Sequence, residues 1–266
     1  ETLGEPVGQT VGYRIRGDRA VSEATRIDVV TEAILTRMLQ DDPELPGVSC
    51  VIFDEFHERS LNADLGLALA WEVRQALCPD LWLVVMSATL DAGPVAALME
   101  DAPLLTSEGR AFPVETRHLE RPVPQGARFE AEVAELVLRA LAEAEGGCLV
   151  FLPGEGEIRR VAARLEGRLP VDVRLHRLYG AMKIADQRAA IRPATGARKL
   201  VLATAIAETS LTIEDVRIVV DAGRARRARF DPGSGMSRLV TEPVSRAEAD
   251  QRRGRAGRVA PGVCYR

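Results

Sequence analysis

Val51-Ile52-Phe53-Asp54-Glu55-Phe56-His57-Glu58-Arg59 joins a short apolar run directly to two adjacent carboxylates. An apolar run of that length is a buried strand, so Asp54 and Glu55 fall at its C-terminal edge, where open α/β sheets bind ligands. Uncompensated charge at such an edge is costly, which calls for a cation or a hydrogen-bonding partner. Hydrated Mg²⁺ on nucleotide phosphates suits the pair, with Asp54 in the metal's shell and Glu55 polarising an attacking water. His57 then stands one residue further out, able to link this edge to the next. Four residues alone also fit a solvated acidic loop.

Working outward, apolar runs of strand length alternate with segments of helical period, the pattern of a doubly wound α/β protein. Strand-like runs cover 48–53, 81–86, 148–152, 199–204 and 217–220, and helices are expected over 61–77, 127–145, 155–168 and 182–192. In the first helix Leu61, Leu65, Leu69 and Val73 predict an apolar face against the sheet. Gly109, Pro113, Pro122, Pro124 and Gly126 interrupt the pattern and mark a boundary between two βα series. Two Arg-rich arms around Asp231-Pro232-Gly233-Ser234-Gly235 predict a β-hairpin over 222–243.

Composition narrows the function classes. The chain has 266 residues, 46% hydrophobic and only 4% aromatic, which suits parallel sheets of Val, Leu, Ile and Ala under helices. No apolar run approaches the roughly 18 residues of a membrane span, and no basic-then-apolar leader opens it. Cys50, Cys78, Cys148 and Cys264 are too scattered for a metal cluster, and the expected setting is a reduced cytoplasm. Net charge is −4, yet residues 221–266 hold eleven arginines against five acids, leaving the remainder at −10. A basic stretch on an acidic protein points to a phosphate-bearing partner. His118 and His176 lack ligand spacing, and Trp71 and Trp82 read as core residues.

Two further stretches carry chemistry. Ser87-Ala88-Thr89 follows the next apolar strand, placing hydroxyls where they can relay phosphate occupancy from a neighbouring carboxylate or His57. A Ser or Thr there is also an ordinary helix cap. Gln251-Arg252-Arg253-Gly254-Arg255-Ala256-Gly257-Arg258 spaces Arg252, Arg255 and Arg258 by three, which predicts one arginine face, with Gly254 and Gly257 permitting close backbone approach. Such guanidinium groups suit phosphate oxygens and charge developing in phosphoryl transfer. The same pattern fits a solvated basic face.

Asp54-Glu55-Phe56-His57, Ser87-Ala88-Thr89 and the run from Gln251 to Arg258 resemble, in order and spacing, motifs II, III and VI of the DEAH/RHA group of superfamily 2 helicases. Thr31-Glu32-Ala33-Ile34-Leu35 resembles motif Ib, Leu149 to Pro153 motif IV, and Thr204-Ala205-Ile206-Ala207-Glu208-Thr209-Ser210-Leu211-Thr212 motif V. Within the group the chain looks most like bacterial HrpB-type helicases, over essentially its whole length. The resemblance implies two RecA-like domains with mainly parallel sheets, the first (1–112) truncated at its N-terminus and the second (113–266) bearing the hairpin. It implies an ATP-dependent RNA or DNA helicase core, monomeric, with ATP and Mg²⁺ as cofactors and single-stranded nucleic acid as partner.

Residue by residue, the resemblance assigns Mg²⁺ and the attacking water to Asp54 and Glu55, with His57 beside them, and water placement to Gln251. Arg255 and Arg258 become arginine fingers reaching across from the second domain, and Ser87, Ala88 and Thr89 coupling residues. Thr31, Arg110, Thr204, Thr209 and Ser210 line a single-strand path, and Arg226, Arg227, Arg229 and Arg238 arm a strand-separating hairpin. Phosphate-directed contacts of this kind read no sequence.

The chain departs from the group at Ala205, where Asn is usual, and at Ala33, where Gly is usual. A phosphate-cradling loop needs Gly before Lys, whereas Met182 precedes Lys183 and Arg198 precedes Lys199, the only two lysines. The reading therefore expects an internal stretch of a longer helicase that alone turns ATP over barely. A non-catalytic nucleic-acid or protein-binding module on the same scaffold is the alternative.

Overall fold

A computed structural model describes residues 3–87, 92–107, 112–121, 128–193, 196–208, 213 and 215–266, apart from the side chain of Glu58. The chain divides into two compact units, Glu1–Thr106 and Ser107–Arg266. Among the described residues no helix is long and apolar enough to cross a membrane.

The first unit runs β1 (Val11–Ile15), β2 (Asp18–Ala20), β3 (Ile27–Val30), α1 (Glu32–Asp41), β4 (Cys50–Phe53), α2 (Leu61–Ala76), β5 (Trp82–Val85) and α3 (Gly93–Leu98). β1 pairs with β2 antiparallel and with β3 parallel, while β4 and β5 form a separate parallel pair. Val51 and Phe53 point into a core shared with Leu35 and Leu39 of α1 and Val73 of α2. The alternate residue Ile52 is exposed, as the two-residue period of a strand requires.

The expected apolar face of α2 holds only at its C-terminal half: Leu69 packs against the core and Val73 is buried. Leu61 and Leu65 are exposed, and Ala63, Gly66 and Ala70 are buried in their place. Small residues let the helix approach closely: a Cβ on Gly66 would stand 3.5 Å from the Phe53 ring. Trp82 is likewise no core residue, being 73% exposed at the start of β5.

The second unit holds β6 (Val114–Arg117), α4 (Phe129–Glu143), β7 (Gly147–Phe151), α5 (Glu155–Leu165), β8 (Val173–Leu178), α6 (Ile184–Ile191), β9 (Arg198–Ala203), β10 (Val216–Asp221), β11 (Arg224–Asp231), β12 (Met236–Pro243), α7 (Arg246–Gly254) and β13 (Gly262–Tyr265). Six strands form one sheet in the order β6-β13-β10-β7-β9-β8, and every pairing is parallel. All five residues of β7 are buried, the mark of a strand covered on both faces. Leu149 and Phe151 face one core, Cys148 and Val150 the other. Burial pushes the thiols of Cys148 and Cys264 up to about 12, so both stay protonated.

From β7 the chain moves out to β8, returns to β9 beside β7, and crosses to β10 on the other side of β7. This change of direction is a topological switch point, and ligand crevices in open α/β sheets form at the strand C-termini there. β11 and β12 make the expected hairpin, in register from Arg224 with Pro243 to Asp231 with Met236. Asp231 closes its turn by accepting the amide of Gly233 at 3.1 Å and the Ser234 hydroxyl at 2.9 Å.

Candidate functional site

In the first unit β4 ends at Phe53 and the acid pair follows at once. Asp54 is exposed, and its Oδ1 accepts the Glu55 amide at 2.8 Å. Glu55 lies at φ 51°, in the left-handed region that costs a residue with a Cβ about 1–2 kcal/mol. Strain of this kind persists where surrounding structure enforces it, often at functional sites. Here the enforcement is visible: Phe56 is buried, meets Phe53 edge to face at 6.3 Å, and donates its amide to the Met86 carbonyl at 3.0 Å. Met86 in turn donates to Phe53 at 2.8 Å, so the acidic turn is stitched to the segment leading into Ser87.

His57 is nearly buried, and its Nε2 stands 3.4 Å from Glu55 Oε2. Ser60 caps α2 by accepting the Ala63 amide and donates its hydroxyl to Glu32 Oε2. That bond ties α2 to the start of α1, where Thr31 is the exposed N-cap residue. Ser87 is exposed, whereas Ala88, Thr89 and Arg110 lie outside the described residues.

Two hard oxygen donors on a strand edge match the way Mg²⁺ is bound, by one or two carboxylates plus substrate phosphates. Among the described residues no group of three or more acidic, His or Cys side chains could hold a metal. The donor set therefore fits an ion that arrives with phosphates better than one in an all-protein cage.

In the second unit the arginine run does not form the single face that its spacing predicts. α7 ends at Gly254 and a 3₁₀ turn covers Arg255–Gly257. Arg252 is fully buried, Arg255 is 6% exposed, and Arg258 alone of the three is exposed. Carboxylates of the protein itself compensate the buried charge. Arg252 Nε donates to Glu208 Oε1 at 2.6 Å, and its Nη1 to Asp221 Oδ1 at 2.7 Å and the Arg224 carbonyl at 3.2 Å. Its guanidinium also lies 4.9 Å from the centroid of the Phe151 ring, a cation–π distance. Arg255 Nη2 donates to the Glu208 backbone carbonyl.

Phe151 and Asp221 end β7 and β10, and Glu208 follows β9, so the buried guanidinium occupies the C-terminal edge at the switch point. Burial pushes the Glu208 carboxyl above its ordinary value, against the opposing pull of Arg252. Gly257 makes the close approach expected of it: a Cβ there would meet the Phe112 carbonyl at 2.5 Å. Gly254 faces open space, so close packing does not explain its lack of a side chain.

Thr204 is the N-cap of a 3₁₀ turn over Ala205–Ala207, with Glu208 as its C-cap, while Thr209 and Ser210 lie outside the described residues. Three of the four hairpin arginines are paired. Arg226 meets Glu157 at 3.0 Å, Arg229 meets Glu242 at 2.8 Å, and Arg227 meets Glu248. Arg238 is exposed and in no ion pair among the described residues.

Sequence reasoning overlooked Glu208 and Asp221 as the partners of Arg252. Three closely spaced arginines in a largely apolar domain were the available signal, because buried guanidinium demands carboxylates.

Residues 131–260 match the helicase conserved C-terminal domain. Over 99% of its length the chain is 54% identical to the ATP-dependent RNA helicase HrpB of Escherichia coli (strain K12), of which it covers 32%. Over its whole length it is 36% identical to the ATP-dependent RNA helicase HrpA homolog of Haemophilus influenzae, covering 20% of that protein. A crystal structure of Escherichia coli DEAH/RHA helicase HrpB matches with TM-score 0.93 at 54% identity, over 99% of this chain and 34% of that one. A crystal structure of the E. coli DExH-box NTPase HrpB matches with TM-score 0.88, again at 54% identity and over 99% of this chain and 32% of that one. The chain thus spans about a third of HrpB.

Proposed function

Because this chain belongs to the DEAH/RHA group of helicases, we propose that it forms part of an ATP-driven motor on single-stranded nucleic acid, RNA before DNA. Residues 1–112 supply the C-terminal part of a first RecA-like domain and 113–266 a second, in a monomeric cytoplasmic core.

Asp54 and Glu55 would hold Mg²⁺, which when bound would neutralise charge on the phosphate oxygens. Glu55 orients the attacking water, and His57 fixes the Glu55 carboxylate. Gln251 helps to place the water. Water adds to the γ-phosphorus as the bond to the bridging oxygen breaks, and Arg258, with Arg255, stabilises the charge that develops. Ser87, Ala88 and Thr89 relay phosphate occupancy. Thr31, Arg110, Thr204, Thr209 and Ser210 grip backbone phosphates, so affinity changes with the nucleotide state move the strand.

The observation that carries this reading is the acid pair at the end of β4, with Glu55 held at φ 51° by the Phe56 to Met86 hydrogen bond. This placement puts both carboxylates at the C-terminal edge of a strand, where open α/β sheets bind ligands. The test is ATP hydrolysis by the full-length protein with and without single-stranded RNA. Stimulated hydrolysis is expected. RNA binding without any hydrolysis would favour the non-catalytic module instead.

A further inference from the structure

Arg226 and Arg227 are consecutive residues of β11, so their side chains leave opposite faces of the hairpin. Each meets a carboxylate on a helix of the second unit. On one face Arg226 Nη2 donates to Glu157 of α5, at 3.0 Å to Oε1 and 3.2 Å to Oε2. On the other, Arg227 Nη2 donates to Glu248 of α7. Both acids are themselves tied down. Glu157 Oε1 also accepts Arg160 at 2.9 Å, and Arg160 reaches on to Glu130 of α4 at 2.7 Å. Glu248 Oε2 accepts the Ser245 amide at 2.7 Å in the capping box of α7. Gly154 leaves the space that Arg226 fills, since a Cβ there would stand 2.7 Å from Nη1. Its φ of −167° is extended backbone open to any residue, so alanine would disturb the contact and not the dihedral.

Further from the root, Arg229 pairs within the hairpin, with Glu242, and Phe230, Met236 and Leu239 are exposed. A two-stranded ribbon is marginal by itself, so its direction is set where it meets the body. We propose that Arg226 and Arg227 are positioning residues, which fix the direction of the hairpin by ion pairs on its two faces and make no contact with nucleic acid. An exposed, isolated ion pair would hold little. Glu157 differs, because its side chain is only 13% exposed and serves two guanidinium groups at once. The inference rests on the helicase reading only for what the hairpin acts on, and it separates the two bracing arginines from Arg238.

The test uses the full-length protein carrying nitroxide side chains at Ser237, exposed near the hairpin tip, and at Glu145, exposed ahead of β7. Double electron–electron resonance reads the distance between them, and a narrow distribution is expected in the wild type. Glu157→Gln, Arg226→Gln, Arg227→Gln and Gly154→Ala are each expected to broaden it about twofold, and Glu157→Gln with Arg226→Gln no more than either alone. Unaltered widths, or additive effects of that pair, overturn the proposal. Affinity for single-stranded oligouridine is followed against salt in the same proteins. Arg226→Gln and Arg227→Gln are expected to keep the wild-type slope of log affinity against log salt. A slope lowered by about 0.7 in either, the loss of one phosphate contact, overturns the proposal. A wild-type protein that binds no oligouridine overturns the helicase reading, while the distance distributions still decide whether the two ion pairs hold the hairpin.

Discussion

Arg252 Nη1 donates to Asp221 Oδ1 at 2.7 Å, with both side chains essentially excluded from water. Such a pair adds little compared with apolar packing, yet breaking it strands a buried charge. Asp221→Ala is accordingly expected to destabilise the second unit by about 3–5 kcal/mol in urea unfolding. Arg168 and Glu135 form a comparable fork at 2.7 and 2.9 Å, but on the surface. Glu135→Ala should move the unfolding midpoint far less, because solvent screens exposed pairs.

Much of this arrangement was legible in the sequence. β7, β9, β10, α4, α5 and α6 fall within a few residues of their expected places because each strand holds several consecutive apolar residues between polar segments, whereas β6, β8, β13 and α7 were not expected. The hairpin was announced by Asp231-Pro232-Gly233, and the family by the order of its motifs. Burial within the arginine run was not legible, since a spacing of three cannot reveal that Glu208 and Asp221 await Arg252 from distant segments. The buried face of α2 also escaped the pattern, because Ala63, Gly66 and Ala70 win their places through small size while Leu61 remains outside.

Acid should loosen the hairpin. Arg229 holds the Glu242 carboxyl below its ordinary value of 4.5 by hydrogen bonding to it. The stability this pair supplies is complete above 4.5 and is lost as pH falls through the lowered folded value. Protection of the amides across 224–243, taken relative to their intrinsic exchange rate at each pH, is expected to fall in that window, and Glu242→Gln to flatten that fall.

Arg238 is the hairpin's one exposed arginine in no ion pair among the described residues. If it meets backbone phosphate, Arg238→Ala weakens binding to every single-stranded sequence alike. It should also reduce the slope of log affinity against log salt by about 0.7. Titration of two unrelated oligonucleotides at several salt concentrations checks both outcomes.

Glu55 is proposed to orient the attacking water, while Asp54 remains to hold the ion on the nucleotide phosphates. Glu55→Gln in the full-length protein is therefore expected to abolish RNA-stimulated hydrolysis while nucleotide binding survives. Paired turnover and binding measurements check this, and undiminished turnover removes Glu55 from the mechanism.

The proposed motor requires that the acids after β4 and the arginines after α7 act on one nucleotide. Photo-crosslinking the full-length protein with ATP carrying a photoreactive group on its γ-phosphate tests this directly. Mass spectrometry is expected to recover adducts on peptides from both 51–59 and 251–258, each suppressed by excess ATP. Adducts confined to one of these segments, or to neither, would contradict the account.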